Sequence, residues 1–389
     1  MKRVAVTPRA NLAERAREVG FDFHEIDGTA YWDESAYYAF SLRQIEDHLE
    51  DPTTELAAMC LDLVGRIVRD EQLLARLRIP EHAWGLIADS WNKGHQSLYG
   101  RFDFAYDGRA PAKLLEYNAD TPTALFEAAM FQWTWLEDML ARGTLPKGAD
   151  QFNSIHEALI ERFEELARIG YIKKHMHLTC MMDAQEDRGL ISYLVDCAAQ
   201  AGIDATVLGI EEIGTREQGP FLDNAGKPIT TLFKLYPWEW MLGEAFGQAP
   251  AMRATRFIEP PWKAILSNKG MLPLLAELAP GHPNLLPAFF DDDPKRDALG
   301  QRFARKPFHS REGANITLVD GDTVLDRDSG PYGYGGFIRQ ALAELPVFDG
   351  NYPVIGSWVI GAKACGIGIR EDKSRITKNT SRFVPHAIV

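Results

Sequence analysis

Arg101-Phe102-Asp103-Phe104, followed after the turn Asp107-Gly108-Arg109 by Lys113-Leu114-Leu115-Glu116-Tyr117-Asn118, is the stretch on which the fold turns. The pattern predicts strands over 102–106 and 113–118 joined as a hairpin. Side chains on a strand alternate between faces, so Arg101 and Asp103 share one face, as do Glu116 and Asn118. If the strands pair, Asp103, Glu116 and Asn118 converge. Two carboxylates and an amide offer oxygen donors only, the set that suits Mg²⁺ carrying the phosphates of a nucleotide. Arg101 lies beside them with a fork of donors suited to a phosphoryl oxygen. The solvated polar face of an ordinary hairpin uses the same letters, so the hairpin by itself leaves both readings open.

The composition narrows what such a site can serve. A chain of 389 residues with 46% apolar, 25% charged and 11% aromatic residues can bury a full core and is not a disordered polymer. Lys and Arg number 42 against 55 Asp and Glu, a formal charge of −13. That balance excludes a broad basic face for nucleic acid, leaves room for local phosphate pockets, and attracts small cations. Cys60, Cys180, Cys197 and Cys365 form no CxxC pair and read as reduced thiols. The N-terminal Met1-Lys2-Arg3-Val4-Ala5-Val6-Thr7-Pro8 is too polar for a signal-peptide core, and no apolar run reaches bilayer length. The expectation is a soluble, cytoplasmic protein without nucleic-acid or membrane partners.

Outward from the hairpin, apolar spacing predicts helices over 34–49, 53–77, 80–99, 123–142 and 153–168. Strand 177–182, helix 189–201 and strand 204–209 form a βαβ unit, followed by the turn Asp223-Asn224-Ala225-Gly226 and a strand to 236. A strand over 262–267 and a helix over 271–278 come next. The last third reads as an antiparallel sheet of strands 303–307, 315–319, 322–325, 352–360 and 362–370, interrupted by a helix over 337–345. The class is α+β, mixed and antiparallel sheets flanked by helices. No repeat or long linker divides the chain, which is expected to be one unit, 1–389, with lobes at 1–150, 151–260 and 261–389.

Neither a P-loop, a dinucleotide fingerprint, HExxH nor GxSxG occurs. A second cluster runs from Arg305-Lys306-Pro307 through Ser310-Arg311-Glu312-Gly313-Ala314. A strand ending in lysine before a glycine-bearing loop can cover a phosphate, with Lys306 as a point charge; a hairpin with an exposed lysine reads the same way. Lys269 within Asn268-Lys269-Gly270 is either a second phosphate contact or a turn residue before a helix. His175 and His177 lack a third metal ligand nearby. Trp238-Glu239-Trp240 reads as groove lining or core, Asp291-Asp292-Asp293 as a solvated loop, and 330–336 as a glycine-rich connection.

Taken together, Arg101-Phe102-Asp103-Phe104, Leu115-Glu116-Tyr117-Asn118-Ala119-Asp120-Thr121, the segment 234–239, Ser267-Asn268-Lys269-Gly270-Met271-Leu272-Pro273, Arg305-Lys306-Pro307 and Gly366-Ile367-Gly368-Ile369-Arg370 resemble the synthetase domain of glutathionylspermidine synthases and their short acid–amine ligase relatives. The stretches follow the family's order over nearly the whole chain, so these 389 residues are expected to correspond to the synthetase part of the bifunctional enzymes and not to their amidase domain. The resemblance implies an ATP-grasp fold in permuted order. It makes Asp103, Glu116 and Asn118 Mg²⁺ ligands. It makes Lys269, Lys306, Glu312 and Gly313 ATP contacts, with Gln340, Ala341, Leu342 and Ala343 at the adenine. Arg101 and Arg370 become the catalytic arginines around the transferring phosphoryl group, Arg101 also touching ATP. Thr121 and Thr123 fall near the acid substrate, and Glu186 and Asp187 face the amine.

The implied activity is that of an ATP-hydrolysing carbon–nitrogen ligase using ATP and Mg²⁺. It joins a small acid (glutathione or a similar peptide) to an amine such as spermidine through an acyl phosphate. Two departures bear on the amine: Leu235 replaces an expected threonine, and Arg382 stands where the family carries an acid, so repulsion of a cationic substrate is expected. A nucleotide or polyamine sensor without catalysis and a peptide-tailoring ligase are the alternatives. The oligomeric state is not legible.

Overall fold

The hairpin forms, with strands Tyr99–Ala105 and Lys113–Asn118, in a computed structural model that describes residues 1–26, 28–333 and 335–389. Arg101 pairs with Asn118 and Asp103 with Glu116, before a bulge shifts the register at Phe104. Its free edge is taken up by the far end of the chain. Tyr99–Ala105 pairs antiparallel with Tyr352–Ile360, which continues through Lys363–Asp372 to Arg382–Val384. This five-stranded sheet carries the candidate site.

Alternation gives its two faces opposite characters. Phe102, Phe104, Tyr117, Ile355, Ile367 and Ile369 point to the back and are buried in one large core cluster. Phe102 and Tyr117 stack at 3.9 Å between centroids, and each such buried ring contributes roughly 2–3 kcal/mol. Helix Asp51–Ile67 closes this side, its Thr53 hydroxyl donating to Ser357 at 2.8 Å. On the front face Gly356 and Gly368 leave space. A Cβ on Gly356 would stand 2.7 Å from Arg101 Cδ, so the arginine can lie across the sheet only over a glycine.

A second five-stranded antiparallel sheet runs in the order Ala288–Phe290, Phe337–Ala341, Arg302–Pro307, Thr317–Asp320, Thr323–Arg327. The expected βαβ unit also forms. His175–Cys180 lies between Asp204–Gly209 and Thr231–Leu235, with Arg256–Ile258 beyond, all parallel. Both chain ends join Ala36–Phe40 in a three-stranded sheet. Four buried free cysteines and no helix long and apolar enough to cross a membrane are found among the described residues.

Four expected elements are corrected. The span 53–77 is two helices, Asp51–Ile67 and Glu71–Arg76, the second started by the Asp70 carboxylate, which accepts from the Gln72 and Leu73 N–H groups. Within 34–49, Ala36–Phe40 is a strand and only Leu42–Ile45 and the π-helical turn Glu46–Glu50 are helical. All five residues of Ala36–Phe40 are buried, and a continuous apolar run does not reveal its period. Over 262–267 the chain is helical at Lys263–Leu266, started by Pro260 and Pro261, whose carbonyls accept from Lys263 and Ala264 N–H. Over 337–345 the leading residues Phe337–Ala341 form a strand with alternate burial, because partners on both edges override their helical spacing. Tyr334, in the glycine-rich connection, lies outside the described residues.

Candidate active site

On the front face, strand pairing brings the predicted oxygen donors together. The Asn118 amide donates to Asp103 at 3.0 Å and to Glu116 at 3.3 Å. Arg101 grips Asp103 through two N–H groups at 2.7 and 3.0 Å and donates a third to the Thr123 carbonyl at 2.7 Å. Lys269 reaches Glu116 at 3.0 Å. Burial works to raise Glu116, yet the charges of Lys269 and Lys306 outweigh it and hold the carboxyl at about 2. Asp103 is pushed up from the usual carboxylate range, burial exceeding the pull of Arg101. Among the described residues no group of three or more His, Cys, Asp or Glu is arranged around a metal site, and this set has two carboxylates and one amide.

The second sheet supplies the other wall. Lys306, on the strand Arg302–Pro307, donates to the Leu115 carbonyl and to Gln340 Oε1, both at 2.8 Å. Gln340 in turn donates to the Leu114 carbonyl at 3.0 Å. The two sheets are thus stitched along the strand that bears Glu116. Burial lowers the Lys306 ammonium to about 8. Between the sheets lies a cavity of about 160 Å³, lined by Asp103, Glu116, Lys306, Gly313 and residues 340–343, with Ile376 and Thr377 opposite. Its floor is apolar where Ala304, Leu318 and Ile376 pack, the environment a flat heterocycle takes.

The loop 310–314 covers the cleft. Lys269 donates to the Ser310 carbonyl at 2.9 Å. Arg311 donates to the Thr121 hydroxyl at 2.7 Å and to Glu239 at 3.3 Å, over the Trp240 ring at 5.5 Å. Gly313, at φ 74°, sits where a Cβ would be 2.3 Å from Ile376. Arg370 lines a small recess with Arg101, Asp103, Gly356 and Gly368; it donates to the carbonyls of Lys378 and Asn379, and its buried Nε has no hydrogen-bond partner among the described residues. Glu186 and Asp187 occupy the first turn of helix Gln185–Gln200. Burial, then the charge of Glu186, pushes Asp187 up to about 7 and raises Glu312 as well.

Sequence reading missed Arg311 and Glu239 as a latch, and Glu127. Buried on the π-helical turn Glu127–Phe131, Glu127 accepts from the Tyr31 hydroxyl at 2.6 Å and is pushed up to about 7 by burial and Glu186. Glu239 had a signal, a carboxylate between two tryptophans; Glu127 had none. Trp238 itself is core. His175 and His177 bond to Thr206 and Asp223, and the aspartate run binds Arg76, Arg305 and Arg339. Arg382 does not face the amine acids as a free cation. It is engaged by Asp33, Asn351 and Glu371, and its pairing with Glu371 puts it on the sheet face opposite Arg370.

Lys306 from one sheet and Lys269 from the turn before helix Met271–Leu278 thus meet carboxylates from another sheet under a latched loop, and a family model described as glutathionylspermidine synthase preATP-grasp matches residues 3–389. The chain belongs to that family. Within the glutathionylspermidine synthase family, a Haemophilus influenzae protein named "Putative acid--amine ligase" is 42% identical, with 100% of both chains covered. The bifunctional glutathionylspermidine synthetase/amidase of Escherichia coli is 29% identical over 91% of this chain and 59% of its own length. Trypanothione synthetase of Crithidia fasciculata is 28% identical over 85% of this chain and 53% of its own length. The chain therefore spans little more than half of these two longer relatives. A glutathione synthetase-like effector from Globodera pallida shares the fold alone, with TM-score 0.58, 10% identity, and 97% and 96% of the two chains covered. The protein is an enzyme of the carbon–nitrogen ligase class.

Proposed function

We propose that this ligase is ATP-dependent, has the permuted ATP-grasp arrangement, and makes an amide from a small peptide acid, glutathione or one like it, and an amine. The observation that carries the reading is the meeting of Asp103, Glu116 and Asn118 on one sheet with Lys269 and Lys306 at the other wall. Hard oxygen donors with Glu116 held ionised fit Mg²⁺, and the Asn118 amide, turned about its last torsion, presents oxygen where nitrogen now stands. Those three residues would hold Mg²⁺, which when bound neutralises charge on phosphate oxygens.

A carboxylate is a poor electrophile, so the acid's carboxylate oxygen attacks the γ-phosphorus of ATP, the bond to the β-phosphate oxygen breaks and ADP leaves. The amine nitrogen then attacks the acyl carbon of the acyl phosphate, inorganic phosphate leaves, and the nitrogen gives up a proton. Lys269, Lys306, Glu312 and Gly313 handle the nucleotide phosphates, and residues 340–343 take the adenine. Arg101 and Arg370 stabilise charge on the transferring group, and Arg101 also touches ATP. Thr121 and Thr123 orient the acid. Glu186 and Asp187 attract the amine, and Asp187, held near 7, can accept its proton at neutral pH. The latch Arg311–Thr121 keeps water from the acyl phosphate.

A sensor would need neither arginine on the phosphoryl face, which favours catalysis. The engagement of Arg382 by Asp33 and Glu371 removes the repulsion expected against a cationic amine. The deciding experiment measures ADP release with Mg-ATP and glutathione, with and without a panel of amines, and product mass. Amine-dependent ADP together with a new amide mass is expected. No ADP with any acid in a peptide panel, despite measurable ATP binding, would overturn the ligase reading in favour of a sensor.

A further inference from the structure

A second cleft opens where the parallel sheet ends. In an open α/β sheet, ligands lodge beyond the carboxyl ends of the strands where successive connections run to opposite sides. Here that point lies between His175–Cys180 and Thr231–Leu235, since the chain leaves the first for Asp204–Gly209 on one side and returns to the second on the other. The segments that follow these strands wall a cleft of about 600 Å³. Phe221 and Met241 are buried at its base, while Met181, Met182 and Phe246 stay 36%, 37% and 40% exposed. Exposed methionine and phenylalanine around an apolar base form an adaptable surface for an apolar chain or ring.

The cleft's charge has one sign. Asp183, Glu211 and Glu244 line it, and among the described residues none of them is ion-paired; the Tyr236 hydroxyl orients Glu244. The neighbouring cation, Arg188, donates to the Met182 backbone carbonyl. Burial raises the Cys180 thiol at the strand end, with Asp187 and Glu211 adding to it against Arg188, and Asp183 is close enough to add to the burial and Glu186 that raise Asp187. The negative potential therefore runs from the helix turn bearing Glu186 and Asp187 into the cleft.

We propose that this cleft binds the part of the amine substrate remote from the reacting nitrogen: an apolar chain or ring that carries its own cationic group. The inference rests on the reading of Glu186 and Asp187 as amine-facing acids. It selects alkyl or aryl amines with a separate charged end over slim, evenly charged polyamines. Arg382, on the opposite face and already paired, offers no place for a second cation, whereas the unpaired acids of the cleft do.

The test is calorimetric titration of the full chain, without ATP, with octylammonium, butylammonium and octanoate. Octylammonium is expected to bind about tenfold or more tightly than either, since four methylenes and the sign of one charge both count. Phe246→Ala and Glu211→Gln, both at exposed positions, should each weaken octylammonium about fivefold or more, and Glu211→Lys should shift preference toward octanoate. Equal binding of octylammonium and octanoate would overturn the cation and leave an apolar or peptide site. No binding, or binding indifferent to all three variants, would overturn the cleft altogether. Because no turnover is involved, octylammonium binding with no amine-dependent ADP release would count against the ligase's amine reading while the cleft stands.

Discussion

Asp103 and Glu116 stand directly opposite each other across the hairpin, yet each carboxylate is held by a different cation, Arg101 from its own strand and Lys269 from the far wall. Like charges so placed would repel, and the two cations are what let both remain on one face. The arrangement balances the site's charge before any metal or nucleotide arrives and poises both cations to turn toward phosphate.

Removing one acid should therefore separate metal binding from folding. Asp103→Ala leaves the Arg101 guanidinium without its ion-pair partner in a mostly buried setting and should cost about 3 kcal/mol of stability. Asp103→Asn keeps a hydrogen-bond acceptor for Arg101 and should cost less. Both should raise the Mg²⁺ concentration needed for half-maximal ADP release about tenfold or more. An Mg²⁺ titration unchanged in Asp103→Asn would take Asp103 out of the metal set.

Gly313→Ala tests the covering loop. A Cβ at this position would stand 2.3 Å from Ile376 and 2.7 Å from the Thr377 carbonyl, at a φ of 74° that side chains resist. The loop should then close poorly while the rest of the fold persists, because only the loop is displaced. Water would reach the acyl phosphate, so ADP released per amide formed should rise well above one. A ratio that stays at one with normal turnover would mean the loop does not shield the reaction.

Much of this was legible because the site sits on strands with strict alternation. The hairpin, the convergence of Asp103, Glu116 and Asn118, and the βαβ unit all follow from a period of two or from apolar runs between turn residues. Contacts set by distant chain were not legible. Tyr352–Ile360 supplies the hairpin's missing edge, and nothing local in either segment announces the other. Ala36–Phe40 and Phe337–Ala341 are strands because they have partners on both sides, which local spacing does not record. The latch of Arg311 on Thr121 and Glu239 joins three regions of chain, and Glu127 acquires its high proton affinity only by burial near Glu186.

Lys306 should report nucleotide arrival through a proton. Burial holds its ammonium at about 8 rather than the ordinary 10.5, and anionic phosphate in the cavity should raise it again. Near pH 8.5, binding of Mg-ATP should thus take up a proton. Titrations in buffers of different ionisation enthalpy should show an uptake of about half a proton or more that Lys306→Met abolishes. Uptake unchanged in Lys306→Met would place the titrating group elsewhere.

Asp187 makes the amine site depend on pH, and the sign can be followed through. Its folded-state value, about 7, lies above the ordinary 3.8, with burial and then Glu186 as causes. Between those values the native protein binds more protons than the unfolded chain, so stability falls as pH rises through the window and the penalty is complete above about 7. Allowing for solvent screening, that penalty is on the order of 3 kcal/mol. Asp187→Asn should therefore melt higher than the parent at pH 8, with the gap closing toward pH 4. The same carboxylate attracts the amine only when ionised, so the parent's kcat/KM for amine should fall as pH drops through 7, and Asp187→Asn should be slower with that step flattened. Equal melting temperatures at pH 8 would show that the carboxylate carries no strain, and an intact pH step in the variant would show that Asp187 does not face the amine. A variant both more stable and less active is the combination expected of a charge kept for its substrate at the expense of the fold.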